Sequence, residues 1–334
     1  MSESKQEYKC NCSSSKCKCD CNLTDTDVLH VIAVVSNPAR FHRRYTLFNE
    51  FCERMSKEKQ IELLTVELQQ GERPFATDSK IKLRTDDELW YKENLINIAV
   101  QHLPDNWKYV AWIDADIEFQ NKNWVRETIE QLQTYKILQL FSHAIDLGVK
   151  QETLQVHISF CYQYVNGEKW QGHKYSAWHS GYAWAITREA YDDIGGLMEF
   201  PILGSSDMHM ALAFIGLVDK YLNSQLHPNY KMLCKIFQNR CEKHIKRNIG
   251  FVHGTILHHF HGNKKDRKYQ DRWKILIDNQ FDPLSDIKKD SRNLWKLEDT
   301  KIKLRDDLMR YFRERNEDSV DMPCEYKYVK TNWI

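Results

Sequence analysis

The sequence predicts an α/β domain built on a mostly parallel central sheet, and three observations carry that expectation. Residues 28–35 and 109–113 are continuous apolar runs of strand length, the pattern of strands buried on both faces. Between them, Leu47, Phe48, Phe51 and Met55 recur at helical spacing. Strand and helix signals then alternate along the chain, as they do in β-α-β units that build parallel sheets.

Folded sequence begins near Asp27, where a polar tail gives way to the run at 28–35. After it, 36–40 reads as a loop and the segment through Met55 as a helix. Residues 61–68 read as a second strand and 69–84 as a loop, and Leu89, Trp90, Leu95, Ile96 and Ala99 mark one face of a helix. The strand at 109–113 follows, then a helix near 124–135, a strand at 137–141, and mixed strand and loop through Ile186. Near the end, Leu304, Leu308, Tyr311 and Phe312 define an amphipathic helix with Arg305, Asp306 and Asp307 elsewhere on its circumference. The expected organisation is a tail over 1–26, one domain over 27–290, and a helical extension over 291–334 packed on it.

The chain has 334 residues and a formal net charge of +1, so no global electrostatic force favours a nucleic-acid or membrane-surface partner. Its longest apolar runs, 28–35 and 211–218, fall far short of the roughly 20 residues that span a bilayer, and no membrane anchor is expected. Residues 1–9 lack the apolar core of a signal peptide, which makes the cytoplasm the expected location. The lysine, asparagine and isoleucine content points to an AT-rich coding source, viral or microbial. Five of the ten cysteines crowd into Cys10, Cys12, Cys17, Cys19 and Cys21. That spacing suits thiolate ligation of a soft metal such as zinc, and it equally suits a disordered polar tail with reducible thiols.

Three segments carry chemistry. Asp114-Ala-Asp116 follows the strand at 109–113, and ligands of open α/β sheets collect at that carboxyl edge. Two carboxylates one residue apart can hold a hard divalent cation that bridges diphosphate oxygens. Next, His258-His259-Phe260-His261 follows the strand-like residues 251–257, and if the strand persists His259 and His261 face the same way. Imidazole beside aspartate is a donor set for manganese or a similar ion. Behind Gly262, the cations Lys264, Lys265, Arg267, Lys268 and Arg272 suit phosphate oxygens on a loop that closes over a donor. The third segment, Gly204-Ser-Ser-Asp207, precedes an apolar helical run, so Asp207 falls in a first helical turn, where the dipole favours an ionised carboxylate fit for a general base. Ordinary helix capping accounts for the same residues.

In their order these segments resemble a GT-A fold glycosyltransferase, and within that fold the β1,4-galactosyltransferase group, over about residues 28–272. The loop Asn37-Pro38-Ala39-Arg40-Phe41-His42-Arg43 is similar to the group's nucleotide-holding loop, with Arg40 and Arg43 as its cations. Tyr91-Lys92-Glu93-Asn94-Leu95 resembles the segment that supports the donor diphosphate. Asp114-Ala-Asp116 matches the fold's Asp-x-Asp metal motif, with Asp116 the direct ligand. His179-Ser180-Gly181-Tyr182 resembles the glycine-bearing strand near the donor sugar, and Asp207 takes the place of the acceptor-side base. His259, then His261, takes the place of the histidine that completes the metal site. The sequence departs from the group at Leu203 and Ser206, where a tryptophan and an acidic residue are expected.

The resemblance implies a Mn2+- or Mg2+-dependent transfer from a nucleotide-diphosphate sugar, a UDP-sugar by analogy, to an acceptor hydroxyl, with inversion and Asp207 as base. Asn37, Pro38, Arg40, Arg43, Lys92, Asp114, Ser180, Gly181, Lys264, Lys265 and Arg267 would bind the donor. The acceptor, whether glycan, protein or small molecule, is not specified. Two other readings use the same features: a metal-dependent nucleotidyltransferase or phosphohydrolase, and a noncatalytic carbohydrate-binding protein with Trp178, Tyr182 and Trp184 as stacking surfaces.

Overall fold

The computed structural model describes residues 27–170 and 178–321. The cysteine cluster expected to hold zinc or to form a disordered tail lies outside them. The described chain opens with β1 (Leu29–Ser36), α1 (His42–Met55), β2 (Ile61–Gln70), β3 (Ile81–Thr85), α2 (Lys92–Val100) and β4 (Tyr109–Ile113). It continues through β5 (Ile117–Phe119), α3 (Trp124–Gln131), β6 (Ile137–Gln139), β7 (His143–Leu147), β8 (Thr153–Ser159) and α4 (Phe160–Val165). Then come β9 (Trp178–His179), β10 (Ala183–Thr187), α5 (Arg188–Ile194), α6 (Ser206–Phe214), α7 (Val218–Tyr221) and α8 (Pro228–His244). The last elements are β11 (Ile249–Phe251), β12 (Thr255–His258), a 3-10 turn at Lys264–Arg267, α9 (Trp273–Asp278), β13 (Ile287–Lys289), β14 (Trp295–Leu297) and α10 (Ile302–Glu314).

Seven strands form the main sheet in the order β11-β6-β10-β4-β1-β2-β3. It is mostly parallel: β10 runs against both its neighbours, β4 and β6, and the other adjacent pairs are parallel. Alternation along β1 explains why its sequence is almost wholly apolar. Leu29, Val31, Ala33 and Val35 face one core with Phe48, Phe51 and Met55 of α1 and Trp124 and Ile129 of α3. Ile32 faces a second core that includes α2, α6, α8 and α10. Both faces of the sheet are covered by helices, so both sides of the strand favour apolar residues.

A second sheet, β5-β12-β7-β8-β9, stands beside the carboxyl edge of the first. The expected single strand at 251–257 is two strands in two sheets: β11 pairs with β6, β12 with β7 and β5. Gly254 makes the break, with φ +143° and a position where a Cβ would stand 2.9 Å from that of Asn121. Strand β12 ends at His258, so strand alternation does not extend to His259 and His261. Residues 69–84, read as loop, contain most of β3, an edge strand.

The expected boundary at 290/291 falls in the turn of the β13–β14 hairpin. Helix α10 buries Leu304, Leu308, Tyr311 and Phe312, the four residues its periodicity selects, in the same core as Ile32 and Trp112. No helix among the described residues is long and apolar enough to cross a membrane. Leu308 is fully buried, so Leu308→Ala is expected to cost about 2–5 kcal/mol through lost burial and a residual cavity. Denaturant unfolding followed by tryptophan fluorescence should show one earlier transition for the whole domain. An unchanged midpoint would mean that α10 is not part of the core.

Candidate metal and diphosphate site

Parallel pairing of β1 and β4 brings their carboxyl ends together, so the loop after β1 and Asp114–Asp116 leave the sheet side by side. Asn37 builds the first of these loops from within. Its side chain donates to the Phe41 carbonyl at 2.8 Å and accepts from the Phe41 amide at 3.0 Å. The second is fixed by the Asp114 amide donating to the Tyr182 carbonyl at 2.8 Å. A cavity lies between them, lined by Asn37, Pro38, Lys92, Asp114, Asp116, His261 and Arg267 among others.

At one end of this cavity Asp116, His258 and His261 form a group whose ligand atoms lie within 4.8 Å of one another. Asp116 Oδ2 is 2.9 Å from His261 Nε2 and 3.8 Å from His258 Nε2, and the two imidazole nitrogens are 3.3 Å apart. Two donors each about 2.1 Å from one ion stand about 3.0 Å apart at an octahedral right angle and about 3.4 Å apart at a tetrahedral one. The observed spacings bracket those values. Asp116 Oδ1 is buried and has no hydrogen-bond partner among the described residues, an arrangement that a cation would relieve. Burial works against the Asp116 charge, but His258, His261 and Arg267 outweigh it and hold the carboxyl below the usual carboxylate range.

Asp146 orients this group from behind. Its register partner across β7 and β12 is His258, whose Nδ1 lies 2.8 Å from Asp146 Oδ1. A carboxylate only accepts, so Nδ1 carries a proton and Nε2, on the Asp116 side, is the ring nitrogen left for a cation. Tyr182 donates to the same oxygen at 2.8 Å, His157 Nε2 lies 2.7 Å from Oδ2, and the Lys264 ammonium pairs with Oδ2. Burial alone would raise this carboxyl, and the contacts from His157, His258 and Lys264 instead drive it well below the ordinary range.

A second cluster lies around Asp114. Lys92, at the first residue of α2, pairs with Asp114 Oδ1. Burial raises the Asp114 carboxyl and Lys92 partly offsets this, with Asp116 and Asp207 adding to the rise. Asp207 stands in the first turn of α6, and its Oδ2 would lie 2.9 Å from a Cβ placed on Gly181. Glu93, buried and accepting from Trp90 Nε1 at 3.0 Å, is pushed up to about 7 by burial, with Asp207 and Asp114 adding to the rise and Lys92 opposing it.

The remaining expected residues are dispersed. Arg40 is exposed with φ 61°, and Arg43 directs its Nε to the Phe260 carbonyl at 3.0 Å, away from the cavity. His259 stands apart from Asp116: its Nε2 lies 3.3 Å from Glu118 Oε2, although its amide donates to the Asp116 carbonyl at 2.8 Å. Lys264 is occupied by Asp146, Lys265 is exposed, and Ser180 is buried with its carbonyl accepting from Trp184 Nε1 at 2.8 Å. Trp178, Tyr182 and Trp184 are buried in aromatic contacts, so they are core residues and not sugar-stacking surfaces. The sequence pattern gives no role to Asp146, Arg44, Arg315 or Glu317, and it includes His258 and Glu93 only as members of their segments. The adjacent histidines offered a signal for His258, whereas Glu317 is 273 residues from its partner Arg44.

Glu93 yields a stability test. Its folded-state pKa lies above the unfolded value, so the folded protein binds more protons in between and stability falls as pH rises from about 4.5 to about 7. The full effect is on the order of 3 kcal/mol. Glu93→Gln should therefore flatten that slope and raise the melting temperature at pH 8 relative to the parent, measured by calorimetry from pH 5 to 8. An unaltered slope would show that Glu93 is ionised in the folded protein throughout.

No protein-family model matches the chain, and no curated protein matches it in sequence. Solved structures do resemble it. A Drosophila β1,4-galactosyltransferase 7 mutant complexed with manganese, UDP-Gal and xylobiose is 14% identical, with 55% of this chain and 60% of that one covered at a TM-score of 0.32. The mannosyltransferase PcManGT from Pyrobaculum calidifontis, complexed with GDP-Man and Mn2+, is 12% identical over 76% of this chain and 64% of that one, at 0.40. The 4-diphosphocytidyl-2C-methyl-D-erythritol synthase from Anaerococcus prevotii is 12% identical over 69% and 88%, at 0.33. The chain thus spans less than two thirds of the length of the first two.

Proposed function

We propose that this chain is a metal-dependent glycosyltransferase that moves a sugar from a nucleoside-diphosphate donor to an acceptor hydroxyl with inversion. The observation that supports this most is the Asp116–His258–His261 group opening on a cavity at the carboxyl edge of the sheet, with Lys92, Arg267 and further arginines in its wall. The apolar part of the cavity, including Val34, Leu47 and Phe48, suits a nucleobase, and the cationic part suits a diphosphate. A UDP-sugar is the expected donor on the resemblance to the β1,4-galactosyltransferase group.

Asp116, His258 and His261 would hold the divalent cation, and two imidazoles with one carboxylate suit manganese better than magnesium, which favours oxygen donors. A cation held there would supply Lewis-acid charge for a departing diphosphate. Arg267, at the same end of the cavity, orients phosphate oxygens through its planar fork. Asp207 takes the proton of the acceptor hydroxyl as that oxygen attacks the anomeric carbon from the face opposite the leaving group. The carbon–oxygen bond to the diphosphate breaks as the new glycosidic bond forms. Gly181 lets the Asp207 carboxylate pack close to the backbone, since a Cβ there would stand 2.9 Å from Asp207 Oδ2.

Incubation with a panel of nucleotide-sugars and Mn2+ should release nucleoside diphosphate from one of them, and a chelator should stop it. Asp207→Asn is expected to lower transfer by about 10²–10⁴-fold while leaving the dissociation constant for that donor within about twofold. Parent-level transfer by the variant would remove Asp207 from the mechanism. Release of pyrophosphate in place of nucleoside diphosphate would favour nucleotidyl transfer.

A further inference from the structure

The wall of the cavity behind His261 is built by the segment that follows α10. There Arg315 and Glu317 turn inward, 5% and 1% exposed, while Asn316 and Asp318 between and after them are exposed. Glu317 Oε2 accepts from Arg44 Nη1 at 2.7 Å, and Oε1 accepts from Arg315 Nε at 2.6 Å. The Arg315 guanidinium also lies over the Trp90 ring, 5.3 Å from its centroid. Asp318 accepts from the amides of His42 and Arg43 at 2.8 and 2.7 Å, capping α1, which has no side-chain cap from its own N-cap residue.

Gly262 permits this approach. A Cβ there would stand 2.7 Å from both the Asn316 carbonyl oxygen and Glu317 Cα, and its φ of +79° already favours glycine. Residues 315–318 are therefore seated against three parts of the site: the start of α1, the turn after His261, and Trp90.

We propose that Arg44 and Arg315, clamped on Glu317, form with Arg267 a phosphate-binding wall, so that residues 315–318 are part of the donor site. The inference rests on the reading of the cavity as a nucleoside-diphosphate site and assigns the residues that grip the diphosphate. Its basis is an imbalance of charge and of donors. Arg44, Lys92, Arg267 and Arg315 line the cavity against three carboxylates, Asp114, Asp116 and Glu317. Glu317 engages one edge of each of its two arginines and leaves their other N–H groups for a ligand. Arg267 Nε is buried without a partner among the described residues. A diphosphate satisfies such donors bidentately, and pinning both side chains on Glu317 lowers the entropy lost when it binds.

The test uses the full chain and pyrophosphate as the probe. Calorimetric titration of pyrophosphate at saturating Mn2+ should show Arg315→Gln and Arg44→Gln each weakened by about tenfold or more, with Arg315→Lys between parent and Arg315→Gln. Affinity for Mn2+ alone, read by electron paramagnetic resonance, should stay at the parent value, which separates loss of the wall from a general loss of structure. Arg44→Gln carries the test if Arg315→Gln does not fold. Parent-like pyrophosphate affinity in both variants overturns the wall and leaves the metal-site reading standing. Failure of the parent to bind manganese pyrophosphate overturns the diphosphate reading itself, and the wall with it.

Discussion

A single buried carboxylate organises the site. Asp146, 3% exposed, sits on β7 and receives contacts from His258 on β12, His157 on β8, Tyr182 before β10, and Lys264 in the turn beyond β12. An ionised carboxylate at that depth persists only when its lone pairs are filled by donors, and these come from four different stretches of chain. The demand is structural, and its by-product is chemical. Satisfying Asp146 turns the His258 ring so that Nε2 meets Asp116, and it holds the cationic turn at 264–267 against the cavity.

Asp114 and Asp116 consequently sit in opposite environments. Asp116 faces imidazoles and Arg267, which favour its charge, whereas burial weakens the charge on Asp114 and Lys92 restores part of it. Two carboxylates that line one cavity thereby differ in how strongly their surroundings favour the charged form. Beside Asp114, Glu93 is raised chiefly by burial, with the charges of Asp207 and Asp114 adding to the rise.

Much of this fold was legible because its signals are local and long. The runs at β1 and β4 are apolar on both faces of a covered sheet, and α1 and α10 bury the very residues that recur at helical spacing. The edge strand β3 was not legible, since an outer strand with exposed Lys82 and partly exposed Arg84 lacks an apolar run. Within the site, the position of Asp114 and Asp116 followed from strand and loop alone. The choice among histidines did not, because alternation holds only while a strand continues and β12 stops at His258. The Arg44–Glu317–Arg315 clamp joins opposite ends of the chain and leaves no periodic trace.

The central claim is that Asp116, His258 and His261 hold a divalent cation and that the adjacent His259, turned toward Glu118, does not. Manganese titration followed by electron paramagnetic resonance, on the parent and on His258→Ala and His259→Ala, tests it most directly. The account predicts that His258→Ala loses most Mn2+ affinity, in the range of tenfold or more, and that His259→Ala binds as the parent does. Retained affinity in His258→Ala with loss in His259→Ala would contradict it.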